Sequence, residues 1–130
     1  MAFRIRVLAV TALAAVLQAC STSRTLLDSD VPVPDGMTTV RSADIRRSGG
    51  VVTSGRFLLA GSVLDAAESL ADTRGRFQAA GWKVDREEAG LDLASARFTK
   101  AGRSVELSIA RRALDPDMST AVLEISSVAP

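Results

Sequence analysis

Residues 62–82 read SVLDAAESLADTRGRFQAAGW, and this stretch decides the fold. Ser62-Val63-Leu64-Asp65 has the S/T-x-x-acid form of a helix start, with Ser62 as the expected N-cap. Asp65 and Glu68 then fall near the positive end of the helix dipole, where acids are favoured. Val63, Ala66, Ala67, Leu70 and Phe77 recur at helical spacing and predict one buried stripe, with Arg74 at its edge. Gly75 weakens the helix interior by up to ~1 kcal/mol relative to Ala, and Gly81 predicts the stop. No other part of the chain gives so clear a helical pattern.

On either side of this helix the pattern changes to strands. Upstream, residues 37–61 read MTTVRSADIRRSGGVVTSGRFLLAG. Thr39, Val40 and Ile45 give a weak strand signal, and VVTSGRFLLAG gives a stronger one. Gly49-Gly50 between them predicts a hairpin. Val51, Thr53, Gly55, Phe57 and Leu59 are expected to share a face. Downstream, WKVDRE alternates Trp82, Val84 and Arg86 against Lys83, Asp85 and Glu87. In LDLASARFTK, Leu91 and Leu93 fall on one face and Ala94, Ala96 and Phe98 on the other, which predicts a bulge or face switch near Ser95. RSVELSIAR turns Val105, Leu107 and Ile109 inward, and TAVLEISSV does the same with Ala121, Leu123 and Ile125. Turns are expected at Ala89-Gly90, Ala101-Gly102 and LDPDMS. The element order is β-β-α-β-β-β-β. The fold class is α+β, with a single amphipathic helix on one face of a mainly antiparallel sheet.

The chain has 130 residues, with 16 Lys and Arg, 15 Asp and Glu, and one cysteine. It contains no His and no Tyr. That removes the commonest general acid–base group, the Ser-His and Cys-His nucleophile pairs, and His-based zinc sites. No cofactor and no metal is expected, and the domain is expected not to be an enzyme.

The N-terminus begins MAFRIRVLAVTALAAVLQAC. Arg4 and Arg6 precede an uncharged apolar run from Val7 to Leu17, the layout of a secretory signal peptide. The run is shorter than the ~20 apolar residues a spanning helix needs. Leu17-Gln18-Ala19-Cys20 resembles the lipobox of bacterial lipoproteins, although Gln18 departs from the usual small residue. The resemblance implies that the Cys20 sulfur receives a diacylglyceryl group, and that cleavage makes Cys20 the first residue. Ser21 rather than Asp after the cysteine implies the outer membrane. Acylation would also account for a lone thiol in an exported chain.

Three regions follow from this reading: a signal peptide at 1–19, a lipidated N-terminus and tether at 20–35, and a periplasmic domain at 36–130. Losing Arg4 and Arg6 leaves 14 basic against 15 acidic side chains. That near-neutral balance gives no footprint for nucleic acid. Val31-Pro32-Val33-Pro34 favours extended geometry within the tether. An edge segment docked on the sheet is the alternative there.

Residues 35–129 also resemble a recurrent small envelope-lipoprotein domain. The marks are Gly81-Trp82 at the helix end and a hairpin with Phe98, Lys100, Gly102 and Arg103. The resemblance implies no particular activity.

Candidate binding residues are Arg46, Arg47, Arg103, Arg111 and Arg112. If they converge, they suit a partner's acidic surface, lipid headgroups or lipopolysaccharide phosphate. Scattered edge charges are the plainer reading. Asp65, Glu68 and Asp72 share a helix face, and the expectation is that no carboxylate pair converges in a pocket. Asp115, Asp117 and Ser119 resemble the start of a calcium loop. Thr120 and Ser126, however, stand where such a loop needs Gly and Glu. Trp82 is expected to close one end of the core.

The leading expectation is a lipid-anchored binding or structural module of the bacterial envelope, with a periplasmic protein partner. A headgroup- or glycan-binding module is the alternative, and an enzyme built on carboxylates alone is a more distant one.

Overall fold

The computed structural model describes residues 25–127; Cys20, Ser21 and the apolar run lie outside the described residues. The elements are β1 (Met37–Ser48), β2 (Val51–Gly61), α1 (Ala66–Ala79), β3 (Lys83–Ala89), β4 (Leu93–Lys100), β5 (Arg103–Ala110) and β6 (Ser119–Ser127). This is the expected order. Six strands form one antiparallel sheet in the order β1-β2-β6-β5-β4-β3. The hairpin β1–β2 turns at Gly49-Gly50. Helix α1 then carries the chain to the far edge, and β3 to β6 return strand by strand to pair with β2.

The helix begins later than its sequence suggests. Asp65, not Ser62, is the N-cap: its Oδ1 accepts from Ala67 N at 2.9 Å and Glu68 N at 3.2 Å. Ser62 is drawn elsewhere, its hydroxyl donating to Asp117 Oδ1, while Val63 N donates to Pro116 O. Ala66, Leu70, Thr73 and Phe77 form the buried stripe. Thr73 is tolerated there because its hydroxyl donates to Ser69 O at 2.7 Å.

The helix end is a Schellman motif. Trp82 N donates to Phe77 O, Gly81 N donates to Gln78 O, and Gly81 has φ +93°. The hydrophobic contact that accompanies this cap is Phe77 against Trp82, edge to face at 5.8 Å between ring centroids. Phe77 also stacks on Phe98 at 4.0 Å. Trp82 is buried and precedes β3 rather than starting it.

Val105, Leu107, Ile109, Ala121, Leu123 and Ile125 are all buried, as their alternation predicts. The face switch expected in β4 does not occur: Ala94, Ala96 and Phe98 point inward, and Leu91 and Leu93 stay exposed. In β2 the inward set is Val52, Gly55, Phe57 and Leu59, not a strict alternation from Val51. The register shift opposite Arg46 and Arg47 inserts Thr53 as an extra residue and moves Val52 to the inner face.

Helix α1 packs over β3, β4 and β5, which leaves the β2–β6 half of the inner face to another cover. Residues 25–34, expected to belong to the tether, supply it. Leu26, Val31 and Val33 are buried in the same core cluster as Phe57, Leu59 and Leu70. The segment starts beside the hairpin turn, where Arg47 Nη2 donates to Leu27 O at 3.0 Å, and ends by feeding β1 at Met37. Burial of each Val or Leu side chain contributes about 1.5–3 kcal/mol. These residues therefore belong to the domain.

Candidate functional site

The densest polar cluster centres on Asp30. Its carboxylate accepts from both Arg103 terminal nitrogens, Nη1 to Oδ1 at 2.9 Å and Nη2 to Oδ2 at 2.6 Å. Lys100 Nζ donates to the same Oδ2 at 2.7 Å and to Ala80 O at 2.6 Å. Trp82 Nε1 donates to Asp30 O at 2.9 Å. The Arg103 guanidinium lies 4.9 Å from the Trp82 ring centroid, within cation–π range. The Arg103 hydrogen bonds come first among the causes that lower the Asp30 carboxyl to about 2. Lys100 adds to the effect, and burial opposes it.

The sequence places these residues by local rules. Strands β4 and β5 turn at Ala101-Gly102, so Lys100 and Arg103 face each other across the ladder. The Schellman cap brings Trp82 and the Ala80 carbonyl beside them. Gly81-Trp82, Phe98, Lys100, Gly102 and Arg103 thus surround one structural knot. It clamps residues 25–34 onto the sheet. Asp30 was missed in the sequence because it stands in a segment read as tether. The period-2 spacing of Val31 and Val33 beside it was the available signal.

The five candidate arginines do not form one patch. Arg103 is buried and committed to Asp30, so it leaves the surface set. Arg46 and Arg47 sit near the β1–β2 turn. Arg111 and Arg112 follow β5 at its opposite end, about 25 Å away for a strand of this length. Arg111 pairs with Asp92 at 2.9 Å. Arg46 lines a cleft of about 490 Å³ with Asp44, Arg56 and Glu124, a lining of mixed charge.

Asp65, Glu68 and Asp72 line, with Asp35, a shallow groove of about 320 Å³ beside the helix N-terminus. Asp65 caps the helix there, and Asp35 and Asp72 flank the Arg76 guanidinium at 3.6 Å each. Among the described residues, no three carboxylates come close enough to hold a metal ion. None of their helices is long and apolar enough to cross a membrane.

No family model, curated protein or solved structure matches the chain.

Proposed function

We propose that the chain is a lipid-anchored binding module of a bacterial envelope, held through Cys20 and presenting its α+β domain to a protein partner in the periplasm. The observation that carries this reading is the sequence Leu17-Gln18-Ala19-Cys20 after a short apolar run, with the chain's single cysteine at its end. Ser21 favours the outer membrane as the site of anchorage. Two or three acyl chains hold firmly, because each buried methylene adds roughly 0.8 kcal/mol.

The docked segment sharpens the picture. Only five chain steps separate Cys20 from Thr25, a reach of at most about 18 Å at 3.3–3.6 Å per residue. The domain is therefore held close to the bilayer, with the β1–β2 turn on its anchored side. Such confinement raises the domain's effective concentration near membrane partners. Commitment of Arg103 to Asp30, and separation of Arg111 and Arg112 from the hairpin arginines, favour a protein partner over a concentrated headgroup site.

The test is Cys20→Ala in cells fed an alkyne fatty acid. Lipid labelling should vanish, with precursor accumulating or soluble protein released. Unchanged mass and full membrane retention would overturn the anchor.

A further inference from the structure

We propose that the end of the domain opposite the β1–β2 turn is a docking surface for a basic, apolar segment of a partner protein. The inference rests on the binding-module reading above and is independent of the lipid. Three loops meet at this end: 61–65 between β2 and α1, 90–92 between β3 and β4, and 111–118 between β5 and β6. They carry a concentration of exposed apolar side chains. Leu114 is fully exposed at 101 %, Leu64 is 77 % exposed, and Leu91 and Met118 are more than half exposed. Isolated exposed leucines need no explanation, but a collection on adjoining loops marks an interaction surface.

Hydrogen bonds tie the third loop to the other two, and the first residue of α1 to the second. Val63 N donates to Pro116 O at 3.1 Å, joining the first loop to the third. Ala66 N, at the first turn of α1, donates to Leu91 O at 2.9 Å. Arg111 N donates to Asp92 O at 2.7 Å, and its guanidinium reaches the Asp92 carboxylate. A surface already fixed by such bonds loses little freedom on binding, which favours affinity.

Charge selects the occupant. The groove beside Leu64 is lined by Asp35, Asp65, Glu68 and Asp72. Asp92, Asp115 and Asp117 stand on the loops themselves. Against them are Arg76, held between Asp35 and Asp72, Arg111, held by Asp92, and the exposed Arg112. An apolar platform with an acidic margin complements a segment that alternates apolar and basic side chains, such as a cationic amphipathic helix. A second copy of this chain would set acid against acid, and an anionic membrane would be repelled. The chain enters the domain at the opposite end, so this surface points away from the anchor.

The experiment uses the full chain in phosphatidylcholine nanodiscs, titrated with an 18-residue Leu/Lys amphipathic helix and its Leu/Glu counterpart. The basic peptide should bind, and the acidic one should not. Leu64→Ser with Leu114→Ser should weaken binding at least about tenfold, and Glu68→Gln should weaken it and flatten its salt dependence. Arg46→Ala with Arg47→Ala should leave it unchanged. In parallel, a photo-crosslinker at Leu114 in cells should give an adduct whose crosslinked peptide is basic and apolar, and one at Val40 should not. Equal binding of both peptides, or binding indifferent to the Leu64 and Leu114 changes, overturns the proposal. So does an adduct of the chain with itself. Adducts at Val40 alone overturn it while leaving the binding-module reading intact, and failure of Cys20 labelling overturns only the anchor.

Discussion

At the β1–β2 turn end of the sheet a charged cluster is turned inward, and at the far end apolar side chains are turned outward. Near the β1–β2 turn, Asp30, Lys100 and Arg103 are drawn together over Trp82, and the apolar residues Leu26, Val31 and Val52 are buried around them. At the far end, Leu64, Leu91, Leu114 and Met118 face solvent, and four carboxylates line the groove beside Leu64. The first end spends its polar groups on holding a segment of chain in place. The second leaves apolar surface uncovered on loops that are nonetheless well bonded. Buried polar clamping and exposed apolar surface are thus separated along one axis of the domain.

The largest effect that can break this comparison belongs to Asp30. Asp30→Ala strands the buried Arg103 guanidinium and releases residues 25–34, so the domain should lose about 3 kcal/mol in urea unfolding. The double change Asp30→Leu with Arg103→Met should recover much of that loss, because it removes both charges at once. If Asp30→Ala unfolds at the wild-type midpoint, the knot is not what clamps the segment.

Gly81→Ala comes next. A residue with a Cβ at φ +93° is strained by roughly 1–2 kcal/mol, and the Schellman cap positions both Trp82 and the Ala80 carbonyl. A loss of that size is expected in the same assay. Acid should act on a similar scale. The Asp30 carboxyl lies at about 2 in the fold against an ordinary value of 3.8. Between those values the unfolded chain binds more protons than the folded one. The contribution of this carboxylate is therefore intact above about pH 4 and is lost as the pH falls through about 2. With solvent reaching the carboxylate from one side, it amounts to about 1–2 kcal/mol. The stability difference between wild type and Asp30→Asn should shrink over that window, and a constant difference would contradict the assignment.

The residues that were legible in sequence are those governed by neighbours. Alternation in β5 and β6, the double glycine of the hairpin and the Gly81 stop all act over a few positions. The residues that misled are those whose partners are distant in the chain. Ser62 has the chemistry of an N-cap, but Asp117 takes its hydroxyl and Asp65 caps instead. Arg103 reads as a surface cation until Asp30 reaches it across 73 positions. Residues 25–34 read as tether because their burial depends on half of the sheet lying beyond the helix, which no local pattern reveals. The far-end platform was missed for a related reason. Leu64, Leu91 and Leu114 are single apolar residues in polar loops, and only the fold brings those loops together.

The smallest expected effect is the one that defines the far end. Leu64→Ser and Leu114→Ser remove apolar side chains that contact solvent in the isolated domain, so each should change stability by no more than about 0.5 kcal/mol. Leu70→Ala, a buried position on α1, should by contrast cost about 2–5 kcal/mol. The contrast matters because all three residues are leucines, and composition alone treats them alike. If Leu64→Ser or Leu114→Ser cost more than about 1 kcal/mol, these side chains would be packing within the domain, and their exposure would carry no meaning for a partner. Near-neutral stability together with weakened binding of the basic helix would show that the far end is maintained for contact and not for folding.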